Sequence, residues 1–397
     1  MKIAMILDMD FPPDARVENE ARSLAKDGHD IHLFSLCYKS FEVDLEDFGF
    51  LTIHRFKASW LIYKFSALAY DLPFYKWLVK PKIRSFLRQV NPDAIHVHDM
   101  VIAESILEAT GKMDLVKILD LHENRPEIME YYPHTKKIPG SLLINLNRWR
   151  RAQFDLIKNF DRVVVVTEEA KNYYAKQIPI NDSKFLVVPN TLHPDVFKVE
   201  DQDQEKKYDS FFTILYIGNT GIRRGTLLAL ESLRLIKEQI PRVKLLLVGA
   251  SSEDQTLKTY AEDNSLLDLV DFCGWMPPES LPAYIAASDV CISPLKRNLH
   301  HDTTFANKIF QYMAIGKPIL VSDCPPQKRI AEENKCGLVH EADSVADFAE
   351  KVIALYNNGK GRIEMGENGK NAVMLSLNFE STSRDLRDFY LSSDSKS

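Results

Sequence analysis

The chain has 397 residues, 45% hydrophobic and 27% charged, with a formal net charge of -6. That length exceeds one ordinary core and asks for two domains, and the acidic balance excludes a generic nucleic-acid binder, which needs a basic surface. Five cysteines (Cys37, Cys273, Cys291, Cys324 and Cys336) lack C-x-x-C spacing, which fits a reducing cytoplasm and no zinc site, and no run of about 18 uncharged apolar residues predicts a membrane span.

The opening MKIAMILDMD is apolar too briefly for a signal peptide and reads as a first strand. In chain order, strands are predicted at 3–7, 31–35, 94–97, 117–120, 163–167 and 186–188. A second set follows at 214–217, 244–248, 270–272, 290–293, 319–321 and 337–339. Continuous apolar strands alternating with helices imply parallel sheets covered on both faces, so the fold class is α/β with two doubly wound domains. We place an N-terminal domain at 1–193, a polar, charge-rich linker at 194–208 and a second domain at 209–375. A C-terminal helix within 376–397, with a frayed end, takes its apolar face from Phe379, Leu386, Phe389 and Tyr390.

In doubly wound sheets ligands sit beyond the carboxyl ends of the strands, so the residues there matter most. After the first strand, Asp8 and Asp10 form a D-x-D that reads as a metal site or as a capped loop. Arg16 precedes the next helix on that face, as an anion contact or a salt bridge. The stretch 57–88 interleaves Trp60, Tyr63, Phe74, Tyr75 and Trp77 with Lys64, Lys76, Lys80, Lys82, Arg84 and Arg88, against Asp71 as the sole counter-charge. With 141–154 it reads as peripheral contact with an anionic bilayer, or as core. His96 and His98 share one strand face and lead to Asp99; the next strand leads to His122, Glu123, Asn124 and Arg125. Alternating histidines suggest metal, but no compact third ligand is visible, and a polar pocket for hydroxyls fits better. Glu123 and Glu127 are the carboxylates placed for acid–base work.

In the second half, Gly218, Gly221 and Gly225 do not spell G-x-G-x-x-G, so a nicotinamide site is not supported. Arg223 and Arg224 stand just before a helix beginning near Thr226, an arrangement that suits phosphate or a solvated surface. Trp275 and Met276 flank a planar base, or pack between elements. In HHDTTFANKIFQYMAIGKPIL (300–320), helical spacing puts Asn307 and Gln311 on one face, with Thr304 and Lys308 beside them. Asp302 or Thr303 is the expected cap, and the N–H groups at that helix start are a second expected anion site.

These motifs, as an ordered set, resemble glycosyltransferase family 4. RVENEARSLAKDGHDIHLF looks like its first helix and second strand, and VVVVTEEAKNYY and LVVPNTLHPDVF look like the last strands of its first domain. FCGWMPPESLPAYIAASDVCISPL and NKIFQYMAIGKPILVSD look like its donor-domain signature. The resemblance implies a GT-B fold, two Rossmann-like domains facing each other across a cleft, with the C-terminal helix packing back on the first. It implies a retaining, metal-independent hexosyl transfer from a nucleotide-diphospho-sugar to a glycan or lipid-linked acceptor, with no cofactor beyond that co-substrate. The setting implied is cytoplasmic, at the inner face of the membrane.

On this resemblance Arg224 matches the basic residue that binds the diphosphate, and Asn219, after Gly218, stands where the family carries another Arg that Arg223 replaces. His122 matches the strand-end histidine beside the donor sugar, and Trp275 and Met276 fall where base contacts are usual. Two family glutamates, eight positions apart, fall on Thr303 and Gln311. Gln311 can hold ribose hydroxyls, whereas the charge missing at Thr303 would come from Asp302 or His301. The family's Gly-rich loop after the first strand is replaced by DMDFPPDARV. The alternatives are a nucleotide-sugar epimerase using Glu123 and Glu127, and a non-catalytic partner subunit, which the two missing glutamates would suit.

Overall fold

A computed structural model describes residues 1–111, 113–193 and 207–394; of the linker expected at 194–208, all but 207 and 208 lie outside the described residues. The chain divides into two compact units, Met1–Pro189 together with the segment from Thr382, and Asn190–Ser381.

Unit 1 contains β1 (Lys2–Leu7), β2 (Asp30–Cys37), β3 (Leu45–Asp47), β4 (Thr52–Lys57), β5 (Ala94–His98), β6 (Val116–Leu121), β7 (Arg162–Val165) and β8 (Phe185–Val187). They form one sheet in the order β3-β4-β2-β1-β5-β6-β7-β8, parallel except for β3. Unit 2 contains β9 (Phe212–Ile217), β10 (Val243–Val248), β11 (Val270–Gly274), β12 (Val290–Ser293), β13 (Ile319–Ser322) and β14 (Gly337–His340). Its order, β11-β10-β9-β12-β13-β14, is parallel throughout. In both sheets the chain begins near the middle, moves to one edge and then returns to build the other. This order creates the switch point that characterises doubly wound folds. The central strands read as unbroken Ile, Leu and Val because helices cover both faces, and Ile3, Ile6, Leu215 and Leu246 are fully buried.

The sequence reading passed over β3 and β4. β4 reads TIHRFK and keeps only Ile53 fully buried, because it lies beside the short edge strand and carries polar groups. The first helix, Ala15–Lys26, begins where Asp14 accepts from the N–H groups of Arg16 and Val17, and ends before Gly28 at φ +86°. The last helix, Arg384–Asp394, belongs to unit 1: Arg387 forms a forked ion pair with Asp27, and the Tyr390 hydroxyl meets His96 Nδ1 at 3.0 Å.

The basic aromatic stretch 57–88 divides between the two readings. Tyr75, Val79, Ile83, Phe86 and Leu87 are core, while Trp60, Leu61, Tyr63, Phe74, Trp77 and Leu78 are exposed. Asp71 is not the sole counter-charge: Lys76 pairs with Glu104 and Glu108, and Lys80 with Glu108, on the neighbouring helix Ala103–Thr110. Asp71 itself accepts from the buried Trp149 indole, so 141–154 divides too: Trp149 is core, while Leu142 and Leu143 are exposed. No helix among the described residues is long and apolar enough to cross a membrane.

Candidate functional site

In unit 2, β9 delivers the chain to Gly218 at φ +111°. The loop beyond is held from several sides. Asn219 Oδ1 accepts from the Gly221 N–H, its carbonyl accepts from the Tyr216 hydroxyl at 2.6 Å, and Glu253 accepts from the Ile222 N–H at 2.9 Å. Asn219 therefore shapes the loop with its side chain. Gly225 sits at φ +79°, where an added Cβ would lie 1.6 Å from the Pro294 carbonyl oxygen, so only glycine fits. It is also the N-cap of the helix Thr226–Gln239, and it follows the short turn that carries Arg223 and Arg224.

Three cations gather beside this helix start. His301 Nε2 lies 3.3 Å from Arg223 Nη1 and 3.5 Å from Arg224 Nη1. A guanidinium only donates, so Nε2 accepts and Nδ1 carries the proton, directed to the Lys296 carbonyl at 2.7 Å. Burial, with the two arginines adding to it, pushes His301 down to about 3 and His300 to about 2, so both imidazoles are neutral. The third cation, Lys308 Nζ, is buried with no hydrogen-bond partner among the described residues and lies 3.4 Å from the Tyr216 ring centroid. A Cβ on Gly218 would be 3.8 Å from it. Burial, then Arg224, pulls the Lys308 ammonium well below its ordinary range.

The expected long helix over 300–320 is two pieces. A turn at Leu299–Asp302 is capped by Asn298, and a second helix runs Lys308–Ala314 with Asn307 at its N-cap position. Neither Asp302 nor Thr303 therefore caps the second helix, Thr303 closing the first turn instead, and seven residues are too few for a helix-start anion site of the kind expected. Asp302 is engaged by Arg297 through two bonds of 2.7 and 3.0 Å, which neutralises the charge proposed for it. The Thr303 and Thr304 hydroxyls donate back to the carbonyls of Leu299 and His300. Asn307 is exposed and Gln311 half-buried. Trp275 is 72% exposed, a free indole face; Met276 packs against the apolar cluster of unit 2 that contains Tyr284 and Phe310.

Unit 1 carries a second set. Arg16, expected as an anion contact, is buried and internally engaged. It donates Nε and Nη2 to the two oxygens of Asp120 at 2.8 and 2.7 Å, Nη2 to Glu20 at 3.0 Å, and Nη1 to the Val188 carbonyl at 3.0 Å. That commits four of its five N–H donors inside the protein and makes it an ion-pair residue. Asp120 Oδ2 also faces His122 Nε2 at 3.0 Å and His98 Nδ1 at 3.3 Å, while His96 Nε2 meets Glu20 at 3.2 Å. Ligand atoms of Glu20, His96, His98 and Asp120 lie within 4.8 Å of one another. The structure thus supplies the third and fourth groups that spacing did not reveal. The Arg16 guanidinium, however, occupies the place beside both carboxylates that a divalent ion would need.

Burial pulls the His122 imidazole down and the Asp120 carboxylate more than offsets it, raising His122 to about 8. Burial, reinforced by Asp120 and opposed by Arg16, lifts the Glu20 carboxyl to about 7. Burial keeps His98 neutral, down to about 3. Glu123 stands beside Arg125 at 3.2 Å and is raised chiefly by burial, whereas Glu127 is held by Arg150 at 2.6 Å and is unavailable as a base. The D-x-D does not form a metal pair: Asp8 accepts from the Tyr38 hydroxyl, and Asp10 from the N–H groups of Tyr38 and Lys39. Sequence reasoning missed Asp120 and Glu20, although Asp120 and His122 share a strand face at i, i+2, and Arg16 and Glu20 share a helix face at i, i+4.

Residues 15–196 match the family model described as Glycosyltransferase Family 4, and residues 197–372 match Glycosyl transferases group 1. The chain belongs to glycosyltransferase family 4. An uncharacterized glycosyltransferase of Haemophilus influenzae is 22% identical over 89% of this chain and 88% of that one. A Mycobacterium tuberculosis relative, named as a GDP-mannose-dependent phosphatidylinositol monomannoside mannosyltransferase, is 26% identical over 46% of this chain. That alignment spans 48% of the mannosyltransferase, about half its length. Sucrose-phosphate synthase of Thermosynechococcus elongatus superposes at a TM-score of 0.80, 17% identical, covering 100% of both chains. Anabaena HepE, solved in complex with UDP, does so at 0.71, 15% identical, covering 99% of this chain and 100% of the other. This glycosyltransferase therefore has the GT-B fold, with the cationic set on its second unit and the histidine set on its first.

Proposed function

We propose that this glycosyltransferase transfers a hexosyl group from a nucleotide-diphospho-sugar to an acceptor hydroxyl, with retention and without a divalent metal, in glycolipid or polysaccharide synthesis. The observation that carries the reading is Lys308: a buried ammonium with no hydrogen-bond partner among the described residues, beside Arg224 and the Gly218 turn. A buried charge without a counter-ion is costly, and a diphosphate would compensate it. Arg223, Arg224 and the N-terminus of Thr226–Gln239 supply further donors for developing charge on the leaving group. In the transfer, the anomeric carbon–oxygen bond to the diphosphate breaks, the acceptor oxygen forms its bond to that carbon, and the acceptor proton passes to the departing phosphate oxygen.

Trp275 suits a nucleobase face, Gln311 suits ribose hydroxyls, and half-buried His122 and Glu123 suit sugar hydroxyls. UDP in a structural neighbour and GDP-mannose in a relative's name make these the first nucleotides to test. The exposed aromatic groups of 60–78 suit a lipid surface, in keeping with a lipid-linked acceptor. Arg224→Ala should weaken binding of the nucleotide sugar by about 1.5 kcal/mol or more in calorimetry; unchanged affinity would refute the phosphate site. One observation favours a second reading, a donor-binding partner subunit: Thr303 and Asp302 offer no available carboxylate beside the cations. Donor binding without turnover across an acceptor panel would select it.

A further inference from the structure

Strand β6 presents His122 at its carboxyl end, and everything behind that imidazole is built. Its Nε2 points inward, 3.0 Å from Asp120 Oδ2 and 3.2 Å from His98 Nδ1. Asp120 is wholly buried and cannot turn, because Arg16 grips both of its oxygens and is itself tied to Glu20 and Val188. Partners assign the tautomers. His98 is neutral, donates from Nδ1 toward Asp120, and keeps a bare lone pair on Nε2, which has no hydrogen-bond partner in the interior. His122 donates from Nε2, and its Nδ1, on a side chain that is 24% exposed, makes no hydrogen bond among the described residues. The arrangement fixes one nitrogen and leaves the other facing outward.

We propose that Asp120, clamped by Arg16, is the positioning residue of this site: it turns His122 so that Nε2–H is held inside and Nδ1–H is presented as a cationic donor to a sugar oxygen. This rests on the donor reading above. The groups that face His122 are Asp120 on β6, His98 at the end of β5 with Asp99 just beyond it, the neighbouring Glu123, and Arg16 on the first helix; Glu20, His96 and Tyr390 lie behind Asp120 and Arg16. Of these, only Asp120 is a carboxylate in hydrogen-bond contact with the ring. An opposite charge at this distance shifts an imidazole by one unit or more. The role differs from catalysis, because Asp120 is shielded from any ligand.

Nitrogen-15 NMR of histidine-labelled full chain tests this, with His122 assigned by its loss in His122→Gln. In the parent, both His122 nitrogens should stay protonated up to about pH 8. Asp120→Asn should lower the midpoint by about one unit or more, while circular dichroism and thermal melting show a folded chain. Should that variant fail to fold around a stranded Arg16, Arg16→Gln with Asp120→Asn removes both charges and should lower the midpoint in the same direction, by less because Arg16 itself depresses the imidazole. A midpoint that stays put in either folded variant overturns the proposal, as does a parent His122 that titrates in the ordinary range. Thermal stabilisation by UDP-glucose and GDP-mannose is read in parallel: a shifted His122 with no nucleotide-sugar binding would sink the donor reading and leave the positioning role standing.

Discussion

Lys308 shows the tension between stability and function at a single residue. Its buried ammonium lies over the Tyr216 ring, near Arg224, and makes no hydrogen bond among the described residues. Replacing it by Met keeps the apolar contacts and removes an uncompensated charge. Lys308→Met should therefore raise stability by about 1 kcal/mol or more in urea unfolding, and weaken UDP binding about tenfold or more. Weaker binding without added stability would mean that the ammonium is well solvated. Gly225 gives the opposite case. Gly225→Ala drives a methyl into the Pro294 carbonyl at φ +79°, so it should destabilise by about 2 kcal/mol or more. Lys308, Arg223 and Arg224 were legible in the sequence, because cations placed after a strand announce themselves. Arg16 was legible as an anion contact or a salt bridge, and its partner Glu20 lies one helical turn away, but Asp120 and Val188 are 104 and 172 residues away and no local pattern encodes them.

At the scale of elements, the helices Trp60–Ser66 and Phe74–Val90 show why a basic aromatic run cannot be read as one thing. Every third or fourth residue of the second helix is core, and the residues between are exposed. The phase of that alternation depends on which face meets the sheet, which the sequence alone left open. The exposed set predicts lipid contact. Trp60→Ser with Trp77→Ser should abolish flotation with anionic liposomes at low salt, while a thermal melt changes little because these side chains are 67% and 61% exposed. Flotation that survives both changes would leave the patch without that role. The helix Lys308–Ala314 was placed correctly as helix but begun too early. The hydroxyls of Thr303 and Thr304 return to backbone carbonyls of the preceding turn and end it there.

For the whole molecule, unit 1 carries shifts of both signs, since His98 is depressed to about 3 by burial, whereas His300, His301 and His340 of unit 2 are all depressed. In unit 1, His122 is raised from 6.5 to about 8, so its contribution is complete below pH 6.5 and lost as pH rises through 8. Glu20, raised from 4.5 to about 7, loses its contribution earlier on the same side. In unit 2, His300 and His301 are depressed, so the neutral folded form loses stability as pH falls below 6.5. Acid should therefore weaken both units, whereas mild alkali should weaken unit 1 more than unit 2, as read by hydrogen exchange at pH 5 and pH 8.5. His122→Gln should remove about 2 kcal/mol of pH dependence between pH 6.5 and 8; an unchanged slope would exclude the shifted imidazole. The doubly wound architecture was legible from its apolar central strands, whereas the polar edge pair β3 and β4 was not. The return of the last helix to the first unit was not encoded in any local run.

That return has a consequence for how the chain is made. Unit 1 is translated first, yet Tyr390 on the helix Arg384–Asp394 supplies the hydroxyl that meets its buried His96, and Arg387 supplies the ion pair to Asp27. Until those residues leave the ribosome, the first-made sheet lacks part of its cover, while unit 2 is already complete up to Ser381. The first domain to be synthesised is the last to be finished, and a ribosome stalled before residue 384 would display an exposed histidine pocket to chaperones.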